Sequence, residues 1–89
     1  MSEPVRLPIE SELDLHPFLP PDIPSVVAEY VEAAAAAGIP AVRLVHGRGK
    51  GIQRGIVQAA LERHPKVVEF WDDPLSHLGA TIARLSADL

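Results

Sequence analysis

The sequence predicts an α/β domain of the two-layer α+β sandwich kind: a four-stranded mixed sheet with two helices on one face, in the order β-α-β-α-β-β. Three observations carry that expectation. Glu12–His16 alternates polar and apolar, as a half-buried strand does, and Ala41–Val45 is almost wholly apolar, as a strand in the middle of a sheet is. Two stretches repeat apolar residues at helical spacing: Val26, Val27, Tyr30, Val31 and Ala34, then Ile52, Ile56, Val57, Ala60 and Leu61. A glycine-rich turn, His46–Gly51, leads from the second strand straight into the second helix.

Each element has local reasons. Met1–Ile9 alternates weakly and holds Pro4 and Pro8, so residues 1–12 are expected to form an N-terminal arm or edge strand ahead of one domain over 13–89. After the first strand, Pro17, Pro20, Pro21 and Pro24 fix an extended corner, because proline lacks an amide donor and disfavours helix in the residue before it. Asp22 is placed to cap the first helix, Pro24 suits its first turn, and Gly38 supplies its stop. The second helix ends at His64-Pro65, Val67–Trp71 reads as a third strand, and a loop over Asp72–Gly79 leads to a last strand, Thr81–Ser86.

Length and composition narrow the chemistry. A chain of 89 residues makes one domain and buries only about 60–65% of its unfolded surface. The lack of cysteine excludes disulfides, thiolate zinc sites and cysteine nucleophiles, so any chemistry must come from Asp, Glu, His, Lys and Arg. No apolar run reaches the roughly 18 residues of a membrane span, and no basic-then-apolar leader pattern opens the chain, so no membrane partner is expected and a cytoplasmic location is. The net charge of −4 is unevenly spread. Residues 1–40 carry Arg6 against seven acids, whereas residues 41–66 carry six cations (Arg43, Arg48, Lys50, Arg54, Arg63, Lys66) against Glu62. A basic segment in an acidic chain restricts where a polyanion could bind; the alternative is a solvated helix face.

Two motifs concentrate the polar chemistry. In His46-Gly47-Arg48-Gly49-Lys50-Gly51, the order strand, glycine-rich turn, helix start points backbone amides and the positive helix end outward, an arrangement that suits a phosphate. Arg48, Lys50 and Arg54 would add charge-assisted bonds, and His46 could hold or exchange a proton. The Walker form needs Ser or Thr after Lys, where Gly51 stands here, so ATP binding is not expected. A plain tight turn with solvent-facing charges is the other reading. In Leu13-Asp14-Leu15-His16, alternation puts Asp14 and His16 on one face. If the first two strands are adjacent and parallel, as a right-handed β-α-β unit allows, both motifs meet at one edge of the sheet. Asp14 could then orient a histidine, act as a base, ligate one Mg²⁺ or Mn²⁺ through oxygen, or simply cap a turn. His64 reads as a helix-end group and His77 as a surface group, while of Phe70 and Trp71 one should face the core and the other a base or solvent.

With L-D-L-H at 13–16, H-G-R-G-K-G at 46–51 and G-A-T-I-A-R-L at 79–85, the chain resembles the Smr (small MutS-related) domain family over about Leu13–Leu85. The resemblance implies a fold like the C-terminal domain of bacterial translation initiation factor three and a role in binding or nicking DNA or RNA, with a ribosome as a further partner class. Position by position it places Asp14, His16 and His46 as catalytic residues. Gly47, Arg48, Gly49, Lys50, Gly51, Arg54 and Thr81 fall to phosphate or nucleic-acid contact. The chain departs from the family pattern where Pro17-Phe18 replaces Gly-Leu and where His77-Leu78 replaces Gly-Gly, both beside the expected site. Two functions follow: a weak phosphodiesterase, or a module that grips backbone phosphate without cutting.

Overall fold

The structure is a computed structural model that describes residues 11–86; the expected arm over Met1–Ile9 lies outside them. Strand β1 (Glu12–Asp14), a 3₁₀ turn (Pro20–Asp22), helix α1 (Ile23–Ala36), β2 (Ala41–Val45), α2 (Ile52–Arg63), β3 (Val67–Asp72) and β4 (Ala80–Leu85) follow in chain order. The sheet order is β1-β2-β4-β3, with β1 parallel to β2 and both pairings of β4 antiparallel, so the sheet is mixed as expected.

Burial alternates along the strands, which fixes the two faces. Val42, Leu44, Ala83 and Leu85 are buried with Leu15 against Ile23, Val27, Val31, Ala34 and Ala35 of α1 and Val57, Ala60 and Leu61 of α2. The small residues Ala34 and Ala83 sit in that layer, consistent with two helices lying close on one face. On the opposite face, Arg43 bridges Glu12 and Asp73 at 2.6 Å each, and Arg84 pairs with Glu69. Phe70 opposes Ala83 and packs on the core, whereas Trp71 opposes Ile82 on the open face and is 41% exposed.

Helix α1 ends as expected at Gly38, whose φ is +78°. The amide of Ile39 reaches the Ala34 carbonyl and that of Gly38 reaches Ala35, the paired bonds of a Schellman stop. Its start differs: Asp22 makes no side-chain capping bond, because the 3₁₀ turn runs directly into the helix and Asp22 is itself helical. The first strand is shorter than the alternation suggested. It stops at Asp14 because that side chain bonds the His16 amide at 2.9 Å and turns the chain. Phe18, where the family pattern has Leu, packs on the core. Ile52, expected on the buried stripe of α2, is instead 63% exposed.

Candidate functional site

Parallel pairing sets Asp14 beside Val45, and the Leu15 amide continues the ladder onto the Val45 carbonyl at 2.8 Å. The two polar motifs therefore leave the sheet side by side. The Asp14 Oδ1 accepts from the His16 amide at 2.9 Å and lies 2.6 Å from His16 Nδ1. A carboxylate can only accept, so Nδ1 carries the hydrogen and Nε2 of the neutral ring is the bare nitrogen. These bonds from His16, the amide first, hold the Asp14 carboxyl below its ordinary range. Both side chains are more than half exposed. Gly47 has φ +84°, a backbone conformation that favours glycine, and a Cβ built there would lie 2.9 Å from His16 Nε2, so a side chain at this position would displace the exposed His16 ring.

The glycine loop divides its amides between structure and solvent. Those of His46 and Gly47 both bond the Gly79 carbonyl, and that of Gly51 bonds the Arg48 carbonyl. Gly47 and Gly51 thus shape the loop. The amides of Arg48, Gly49 and Lys50 have no acceptor among the described residues, and the first turn of α2, which has no intrahelical acceptors for its N–H groups, follows directly. On one side of the loop is a groove of about 300 Å³ reaching His16, Ile52 and Gln53; on the other is one of about 270 Å³ bounded by Arg54, His77 and Leu78. Of the basic segment, Arg43, Arg54 and Lys66 are ion-paired. Arg48 and Lys50 pair with no described residue and line both grooves. Outward amides, a helix start and these two cations make an arrangement that can receive an anion.

His46 is placed quite differently from His16. It is 2% exposed, with Nδ1 at 3.0 Å from the Gly47 carbonyl and Nε2 at 2.9 Å from Thr81 Oγ1. Burial pushes its pKa down, against a smaller opposing pull from the Gly47 carbonyl. Thr81, expected at the phosphate, is fully buried and cannot touch one; its hydroxyl belongs to His46 and to Gln58 Nε2 at 3.1 Å. Arg54, also expected there, turns its fork onto Asp72 with two bonds of 2.7 Å, and Gln58 Nε2 reaches the same carboxylate at 3.0 Å. Gln58 and Asp72 are not among the residues the sequence marks for the site. The available signal was that Arg54 and Gln58 are four residues apart, hence on one face of α2.

The remaining expected groups are further out. His64 reaches from the end of α2 to Glu32 of α1 at 3.3 Å and accepts the Lys66 amide at Nδ1, tying helices together rather than bonding the last carbonyls. His77 and Leu78 hold φ of +52° and +69°, the left-handed region that favours glycine, at the positions where the family pattern has Gly-Gly. Among the described residues, no three His, Cys, Asp or Glu groups are placed to hold a metal ion. Asp14 Oδ1 is bonded to His16, which among the described residues leaves Oδ2 as its oxygen open to another partner. No helix among the described residues is long and apolar enough to cross a membrane.

Comparison with known proteins agrees with this geometry. The Smr domain model matches residues 13–86. The Clostridium tetani protein named Endonuclease MutS2 is 34% identical over 62 residues, and its Thermomicrobium roseum namesake 41% over 59. These matches take in 70% and 63% of the chain but 8% and 7% of those proteins, so the chain spans under a tenth of their length. The crystal structure of the Smr domain of Thermus thermophilus MutS2 superposes with a TM-score of 0.81 at 32% identity, covering 86% of this chain and 99% of that one. The Escherichia coli protein YdaL, a stand-alone small MutS-related protein, shares the fold at a TM-score of 0.77 and 23% identity, over 84% of this chain and 63% of its own. The fold, the three ordered motifs and these likenesses converge: this chain belongs to the Smr domain family.

Proposed function

We propose that this domain binds a nucleic-acid strand through its backbone and cleaves a phosphodiester bond, with the glycine loop as phosphate seat and the Asp14–His16 pair as the proton-transfer group. One observation carries the reading: His16, bonded to Asp14 through Nδ1, brings its other ring nitrogen, Nε2, up to Gly47 at the lip of an amide-lined loop that also carries Arg48 and Lys50. The family likeness to proteins named as endonucleases supports it. The outward amides and the two cations would stabilise charge growing on the non-bridging oxygens. Asp14, which fixes the ring through Nδ1, keeps Nε2 aimed at the seat and would stabilise the imidazolium.

The chemistry this pair is best equipped for is cleavage of RNA. His16 Nε2 takes the proton of a ribose 2′-hydroxyl, the 2′-oxygen bonds to the adjacent phosphorus, and the bond from phosphorus to the 5′-oxygen breaks. The departing oxygen takes a proton from water, leaving a 2′,3′-cyclic phosphate and a 5′-hydroxyl. DNA lacks that internal nucleophile, so the same nitrogen would have to activate a water. A binding module without cleavage, on the ribosome or elsewhere, would use the same loop and leave the pair idle. Labelled single-stranded RNA, supercoiled plasmid and branched DNA, each with Mg²⁺, Mn²⁺ or EDTA, separate these readings. Cleavage by the wild type that Asp14→Asn removes with little loss of binding is expected. Salt-sensitive binding with no cleavage of any substrate would leave the module.

A further inference from the structure

We infer that Gln58 is a positioning residue of this site: through the Thr81 hydroxyl it fixes which nitrogen of His46 carries the proton, and so fixes the Gly47 carbonyl at the root of the glycine loop. The inference deepens the proposed function, and its importance for a ligand rests on that reading. Its physical content does not.

The proton arrangement follows from what each group can do. The Gly47 carbonyl can only accept, so His46 Nδ1, 3.0 Å away, bears the hydrogen. Nε2 of the neutral ring is then a lone pair, and the hydroxyl 2.9 Å from it, Thr81 Oγ1, must donate. With its only hydrogen spent, that oxygen accepts from Gln58 Nε2 at 3.1 Å. The second hydrogen of the amide goes to Asp72 Oδ1 at 3.0 Å, and because a carboxylate only accepts, the Gln58 amide has one admissible orientation. Asp72 is held in turn by the Arg54 fork. Every donor points the same way along the chain from α2 to the loop.

The position of the chain makes it consequential. Thr81 is fully buried and His46 nearly so, which excludes water as a substitute donor. At its far end is the residue at φ +84° whose amide anchors on Gly79 and whose Cα faces His16 Nε2. Were Nε2 to take a hydrogen, the bond would reverse: Thr81 Oγ1 would accept from the ring, its own hydrogen would need another acceptor, and the neutral ring would have no hydrogen left for the Gly47 carbonyl. The Gly47 carbonyl would lose its hydrogen-bonded link through His46 and Thr81 to Gln58 of α2.

The test is nitrogen-detected NMR of the intact protein without ligand, reading His46 together with the backbone amides of Arg48, Gly49 and Lys50. The wild type should show a protonated Nδ1 and a bare Nε2. Gln58→Glu puts an acceptor where the donor stood, so Thr81 turns its hydrogen to the new carboxylate, and His46 should change tautomer or charge, with all three loop amides shifting. Gln58→Met keeps the bulk, removes both N–H groups without adding an acceptor, and should give a mixture of His46 tautomers if the first variant does not fold. A wild-type His46 protonated at Nε2 overturns the inference, as does a single Nδ1–H tautomer with unshifted loop amides in the folded variants. Oligonucleotide titration of the wild type, measured separately, tests the functional reading: its failure would remove the phosphate seat and leave the tautomer result standing.

Discussion

Two histidines stand beside the same glycine, and the fold treats them in opposite ways. His16 is exposed, held at one nitrogen by the exposed Asp14, and has the other nitrogen open to the groove. His46 is buried, with both ring nitrogens engaged, one by the loop and one by the core. A ring that moves a proton needs a free nitrogen and access to substrate. One that holds a loop needs neither. Identical side chains in the two motifs therefore have opposite environments, and under the proposed function the exposed one is the reacting group and the buried one a strut.

The comparison is broken most directly by exchanging outcomes. His16→Ala should lower cleavage by about 10²–10⁴-fold, the usual worth of a positioned acid–base group, with the melting temperature unchanged. His46→Ala should do the reverse in emphasis, costing about 3 kcal/mol of stability in a denaturant titration because Thr81 and Gln58 lose a buried partner. Gly47→Ala tests both rings at once: its left-handed backbone adds about 1–2 kcal/mol of strain, and its methyl group would push His16 Nε2 aside, so cleavage and stability should fall together.

Acid sharpens the contrast. The buried His46 imidazole has its pKa pushed below the ordinary 6.5, so as pH falls through about 6.5 the unfolded chain takes up a proton that the folded one refuses. The stability contributed by neutral His46 is whole above that value and is lost between it and the lower folded-state pKa. Thermal unfolding should move to lower temperature from pH 7.5 to about 5.5, and less so in a folded His46→Gln variant. The smallest effect belongs to the opposite wall of the loop. Leu78→Gly relieves a left-handed residue but frees the unfolded chain, for a net gain of about 0.5 kcal/mol by denaturant titration.

Much of this was legible in the sequence, and the exceptions have a common cause. Alternation and helical spacing placed all four strands and both helices, because each rests on neighbours a few residues apart. The meeting of the two motifs followed from the β-α-β crossover, which sets β1 parallel to β2. What was not legible depends on partners far along the chain. Nothing in H-G-R-G-K-G says that its histidine is covered, since the cover comes from Thr81 on β4 and Gln58 on α2. Arg54 reads as a free cation until Asp72, 18 residues on, is known to face it. Thr81 reads as polar and available until His46 and Gln58 of α2 are known to take its hydroxyl.

The central claim is that His16, and not His46, moves the proton. A labelled DNA oligonucleotide containing one ribonucleotide tests it in a single assay. Wild-type protein should cut only on the 3′ side of that ribose and leave a 2′,3′-cyclic phosphate, while His16→Ala should bind the strand and leave it whole. Cleavage that persists in His16→Ala, or that falls at an all-deoxy position, would contradict the account.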